Sequence, residues 1–132
     1  MKRIKFLPLL LSLLLLFSLL FSACSSPQFP MTEQHEKFGR KALEIADAYL
    51  DFEITADEAY QKISDLYDAK DSLPEGTSDQ EAGNLMVESE VFFLESAFWA
   101  VSVKNSGLAT AVDSDVLGSR NKLAETLGVK AR

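Results

Sequence analysis

From Thr32 to the C-terminus the chain contains one proline, Pro74, and apolar residues recur there at three- and four-residue spacing. Proline breaks a helix interior, and side chains three and four apart share one face of an α-helix, so the whole segment reads as helical. The predicted fold is all-α, a compact three- or four-helix bundle over residues 32–132, with no solenoid repeat or low-complexity tract.

The first helix is expected from Glu33 to about Phe52, with Thr32 as N-cap. Phe38, Ala42, Ile45, Tyr49 and Phe52 form its apolar face, widened by Leu43, Ala46 and Leu50; Lys37, Arg40, Glu44, Asp47 and Asp51 take the other side. Thr55 and Glu58 have the spacing of a capping box and open a second helix, whose buried stripe is Ala59, Ile63, Leu66 and Leu73. Pro74 and Gly76 then break the chain, and Ser78 to Glu81 has the form of a second capping box.

The third helix extends to about Asn105, roughly 40 Å at 1.5 Å per residue. Val87, Val91, Leu94, Phe98 and Val101 form one apolar stripe, and Leu85, Phe92, Trp99 and Val103 another well round the axis. Only Asn84, Glu88, Glu95 and Ser102 make a continuous polar strip, so this helix is expected to be central, with that strip facing water. The other helices are too short to cover all of it, which leaves aromatic surface available. The fourth helix begins at Asp113 to Asp115 and ends near Leu127, before Gly128; Val116, Leu117, Leu123, Ala124 and Leu127 are its buried face, and Arg120, Asn121, Lys122 and Glu125 its exposed one.

Few residues here offer chemistry. His35 is the only histidine and falls in the first turn of the first helix, and Glu33, His35 and Glu36 there read as an exposed helix start rather than a metal site. Between Asp68 and Glu81 a calcium loop fails on position: with Asp71 as first ligand, Gly76 falls at the sixth place, but Leu73 and Ala82 stand where oxygen ligands are required. Glu88 and Glu95 are about 10 Å apart along the axis. A solvent-facing strip accounts for both, and no catalytic residue, metal or cofactor is expected.

Ahead of this domain the chain opens on Lys2, Arg3 and Lys5, runs through apolar residues from Phe6 to Phe21, and reaches Ser22, Ala23 and Cys24, its only cysteine. A basic start, an apolar centre and small residues at the end form an export signal rather than part of a fold. The apolar run is shorter than the roughly 20 residues of a spanning helix, and Pro8 interrupts it. Phe21-Ser22-Ala23-Cys24 resembles the lipobox of bacterial prolipoproteins, with Phe21 where that family usually has Leu. The resemblance implies cleavage between Ala23 and Cys24, a diacylglyceryl group on the Cys24 sulfur, and attachment to the extracytoplasmic face of a bacterial cell membrane. Two acyl chains, at about 0.8 kcal/mol per buried methylene, hold a protein there stably. The expected organisation is a signal peptide over 1–23, a tether over 24–31 carrying the lipidated cysteine, and the bundle over 32–132. From Thr32 onward, and most clearly from Ala42 to Tyr67, the chain is similar to small helical lipoproteins of bacteria without an inner and outer membrane pair, a resemblance that implies no functional residues.

Removal of residues 1–23 takes three of the 13 Lys and Arg and leaves 10 against 20 Asp and Glu, a formal charge of −10. Such a balance opposes nucleic-acid binding, which needs clustered cations, and opposes an electrostatic grip on anionic lipid headgroups. The expected function is therefore a membrane-anchored lipoprotein whose non-catalytic helical domain binds another protein or a second copy, or serves structurally. The alternative is a small ligand or envelope polymer held in an interhelical pocket lined by Phe92, Phe98, Trp99 and a tyrosine.

Overall fold

The computed structural model describes residues 26–132; the expected signal peptide, with Ala23 and Cys24, lies outside the described residues. Four α-helices make up the bundle: α1 (Glu33–Leu50), α2 (Ala56–Asp68), α3 (Ser78–Lys104) and α4 (Ser114–Leu127), with a short 3-10 turn at Ala69–Ser72. α3 touches all three others. Val87, Val91, Leu94 and Phe98 supply its side of the core, against Phe38, Ala42, Ala46 and Tyr49 of α1, Ala59 and Ile63 of α2, and Val116, Leu123 and Leu127 of α4. The Tyr49 and Phe98 rings meet edge to face at 5.2 Å, a favoured aromatic geometry. Among the described residues no helix is long and apolar enough to cross a membrane.

Helix ends follow local chemistry. Thr32 Oγ1 accepts the His35 N–H, Thr55 Oγ1 the Glu58 N–H, and Asp113 the N–H groups of Asp115 and Val116. The second capping box falls one residue earlier than the sequence suggests. Thr77 is the N-cap, its N–H donating to Gln80 Oε1 at 2.9 Å, because Gln80 reaches back from the third helical position. α1 ends at Leu50 rather than Phe52. Phe52 adopts φ +60° to turn the chain towards α2 and is left 47% exposed, so it does not extend the buried face. The first two N–H groups of α2, on Ala56 and Asp57, are satisfied by the Gly107 and Ser106 carbonyls of the α3–α4 connection, which supplies partners for donors that a helix start leaves open.

Two expected solvent-facing residues are structural. Arg120 is buried: its guanidinium donates to both carboxylate oxygens of Asp47, at 2.9 and 3.2 Å, and to the Lys130 carbonyl. Arg132 also reaches Asp47 and pairs with Asp51, sealing the C-terminal tail onto α1. Burial pushes the Asp47 carboxyl up, but hydrogen bonds from Arg120 and Arg132 outweigh it and hold the group below its ordinary value.

The segment expected to be a tether is laid against the bundle from Ser26 to Met31. The Gln28 N–H donates to the Thr126 carbonyl at 2.8 Å, and Gln80 donates to the Met31 carbonyl. Two glycines admit it. A Cβ on Gly83 would collide with the Pro30 carbonyl, and one on Gly128, which sits at φ +71°, would collide with that of Ser26.

Candidate functional site

α3 is not enveloped. Leu85, Phe92, Trp99 and Val103 are 55%, 45%, 56% and 67% exposed, and Met86 and Phe93 beside them are open as well. The three shorter helices pack on one side of α3, so its inner stripe takes most of their cover. Conversely, the strip expected to face water is drawn inward at one end: Asn84 is buried and Glu88 half-buried.

The outer face has a heptad order. At 100° per residue, Leu85, Phe92 and Trp99 fall within 40° of one another, and Ala82, Ser89, Ser96 and Val103 alternate with them at the intervening three- and four-residue steps. Large side chains thus flank small ones along one line, the relief that receives the knobs of another helix. Glu81, Glu88 and Glu95 run along one edge of this line, also seven residues apart. Tyr67 of α2 packs on Phe92 with ring centroids 5.6 Å apart, and Tyr60, Phe92, Glu95, Ser96 and Trp99 line a shallow groove of about 190 Å³.

Of the three aromatic residues expected at a binding surface, Phe92 and Trp99 share this outer face. Phe98 does not join them: it is fully buried in the core against Tyr49, because it lies on the inner stripe with Val91 and Leu94. A pocket uniting all three is therefore not formed.

A second constellation surrounds His35, which is 2% exposed rather than standing at an open helix start. Its Nδ1 lies 2.6 Å from Thr32 Oγ1, and its Nε2 lies 2.9 Å from Glu88 Oε1. Because a carboxylate only accepts, the Nε2–H donates to Glu88, while the Thr32 hydroxyl, able to donate or accept, partners Nδ1. Asn84 extends the chain of bonds, its Oδ1 accepting the Thr32 N–H and its Nδ2 donating to the Glu75 carbonyl.

Hydroxyl, imidazole and carboxylate stand here in the order of a hydrolytic triad, but the hydroxyl is committed elsewhere. Thr32 is 6% exposed, its oxygen already caps α1, and Gly76 packs over its methyl group. A nucleophile must reach a carbonyl carbon, and this one is enclosed. The array joins the start of α1 to α3. Glu33 and Glu36, grouped with His35 in the sequence, turn away to Lys37 and Arg40, and among the described residues no group of three or more His, Cys, Asp or Glu is placed to hold a metal ion. The surface beside His35 is an open polar groove of about 630 Å³ between the 70–78 segment and α3.

Sequence reasoning missed Glu90. It is 6% exposed; Thr126 Oγ1 donates to its Oε1 at 2.8 Å, and its Oε2 has no hydrogen-bond partner among the described residues. Burial pushes this carboxyl above its ordinary value, against the lowering effect of Thr126 and Lys122. The signal in the sequence was thin: one acidic residue directly before Val91 of the core stripe.

Compared with protein-family models, with characterised proteins and with solved structures, the chain matches none.

Proposed function

We propose that this chain is a bacterial lipoprotein, held on the extracytoplasmic face of the cell membrane through Cys24, whose helical bundle is a non-catalytic binding module. The observation that carries the reading is the outer stripe of α3, where Leu85, Phe92, Trp99 and Val103 lie uncovered along about 27 Å of helix at 1.5 Å per residue. An apolar line this long on a small domain is costly to leave in water and marks an interaction surface.

Its heptad relief suits an amphipathic helix of a partner protein, and the row of Glu81, Glu88 and Glu95 favours a basic edge on that helix. Two copies of this chain pairing through the same face would bring acidic rows to a net-negative molecule, which disfavours self-association. The enclosed Thr32 hydroxyl gives no support to catalysis.

Photo-crosslinking from position 96, in the middle of the stripe, tests the binding reading in membranes of the native host. A discrete heterologous adduct that disappears with Trp99→Glu supports it; adducts only to a second copy, or none above the level of a probe at Lys62 on exposed α2 surface, overturn it. Mass spectrometry of the same material tests the anchor separately. A diacylglyceryl modification on an N-terminal Cys24 is expected, and an unmodified Cys24 removes the anchor from the proposal.

A further inference from the structure

The groove that contains Glu90 is distinct from the shallow one beside Trp99. It has a volume of about 590 Å³ and is lined by apolar side chains from the N-terminal segment and α3, Phe29, Leu85, Met86 and Phe93, with Glu90 among them and Lys122 and Glu125 of α4 alongside. A site of this build, mostly apolar in surface with a few polar side chains, here Gln28, Ser89, Glu90, Lys122, Glu125 and Thr126, is the ordinary form of a small-molecule pocket. The unusual part is the carboxylate oxygen. A buried acceptor without a partner costs free energy that the fold recovers only when a donor arrives. Thr126 satisfies one oxygen of Glu90, and the other has no hydrogen-bond partner among the described residues.

We propose that this groove binds a small amphiphile with an aromatic or alkyl body and a primary ammonium head, the head donating to Glu90 Oε2 and the body lying against Phe29, Met86 and Phe93. The charges decide between a cation and a neutral donor. Glu90 and Glu125 contribute two negative charges when ionised and Lys122 one positive, so the groove carries a net negative charge and an arriving ammonium is attracted. Phe29 and Phe93 line the same groove, and an aromatic ring attracts a cation placed over its face. An anion meets two carboxylates and is disfavoured.

The proton balance follows from the same groups. In the empty groove the Glu90 carboxyl holds its proton above the ordinary carboxylate range, because burial outweighs the help of Thr126 and Lys122. An ammonium pairs with the ionised form, so binding at a pH below that raised value releases the proton to solvent, and above it none is released. Affinity for the amine accordingly rises with pH from the ordinary carboxylate range up to the raised value and then levels off, while a neutral analogue shows no such rise.

The test uses the full-length chain in phosphatidylcholine nanodiscs, titrated calorimetrically with benzylammonium and with benzyl alcohol against empty nanodiscs. Benzylammonium is expected to saturate at millimolar concentration or below and to bind at least about tenfold more tightly than the alcohol, a difference of roughly 1.4 kcal/mol. Glu90→Gln keeps the shape and removes the charge, and it is expected to abolish that preference. Phe93→Ser, at an exposed position, is expected to weaken both ligands together and keeps the idea testable should Glu90→Gln fail to fold. Equal affinity for the amine and the alcohol, no saturation of the wild-type chain by the amine, or a preference that survives in folded Glu90→Gln would overturn the proposal.

Discussion

Val87, Val91, Leu94 and Phe98 on the inner face of α3 are fully buried, whereas Leu85, Phe92, Trp99 and Val103 on the outer face of the same helix are between 45% and 67% exposed. The two rows are alike in apolar character. Their difference lies in the supply of cover: α1, α2 and α4 have 18, 13 and 14 residues against 27 in α3, and all three pack on one side. Apolar composition states that a helix gains by being covered. It does not state whether the cover comes from its own chain. A row left bare after the domain's own helices are placed is therefore informative about partners in a way that the core row is not.

Truncation of each row breaks or sharpens this contrast. Phe98→Ala removes a fully buried ring and is expected to cost about 3–5 kcal/mol, read as a lowered urea midpoint. A loss under 1 kcal/mol would show that the inner row is loosely packed. Asp47→Asn probes a residue that sequence reasoning put on the solvent side together with the outer row. It leaves the buried Arg120 guanidinium without its counter-charge, at an expected cost of about 1–3 kcal/mol.

The sign of its pH dependence is fixed by the lowered carboxyl of Asp47. Such a group contributes stability above its unfolded pKa and loses it as pH falls through the folded value. The gap between wild type and Asp47→Asn should therefore be full at neutral pH and close below about pH 4. Urea melts at both pH values check this, and a gap independent of pH would mean that the ion pair does not contribute through its charge.

Gly118→Ala tests whether an outward helix position is free of contacts. A methyl group there meets nothing within 4 Å, so the higher helix propensity of alanine should raise stability by up to about 1 kcal/mol. Trp99→Ser should change stability least, within about 0.5 kcal/mol, as is usual for surface positions, while eliminating partner crosslinks. A large thermal destabilisation by this substitution would make the outer row structural after all and end the contrast.

The four helices and most of their ends were legible in the sequence, because caps such as Thr32, Thr55 and Asp113 act over three or four residues and the apolar period of α1 and α4 is local information. The inner stripe of α3 was legible for the same reason. What the sequence hid was long-range. Arg120 and Asp47 are 73 positions apart, and each alone reads as a solvated charge. His35 and Glu88, 53 apart, look like a helix start and a surface strip until the fold brings them together beside the 70–78 loop. Two apolar stripes on α3 could be read from a helical wheel, but which of them becomes core depends on where the other three helices stand, and Phe98 and Trp99 differ in fate although they are adjacent. Gly83 and Gly128 admit a crossing chain, which is visible only once that chain is in place.

The close seat of Ser26 against Gly128 sets how a lipid anchor would hold this domain. Cys24 is two residues upstream, and two residues span about 7 Å at full stretch. Acyl chains fixed at that sulfur would give the bundle almost no leash: it would rest on the headgroup layer instead of swinging clear of it. Any protein that engages it would then have to do so at the bilayer surface, where both molecules search in two dimensions and modest affinity suffices.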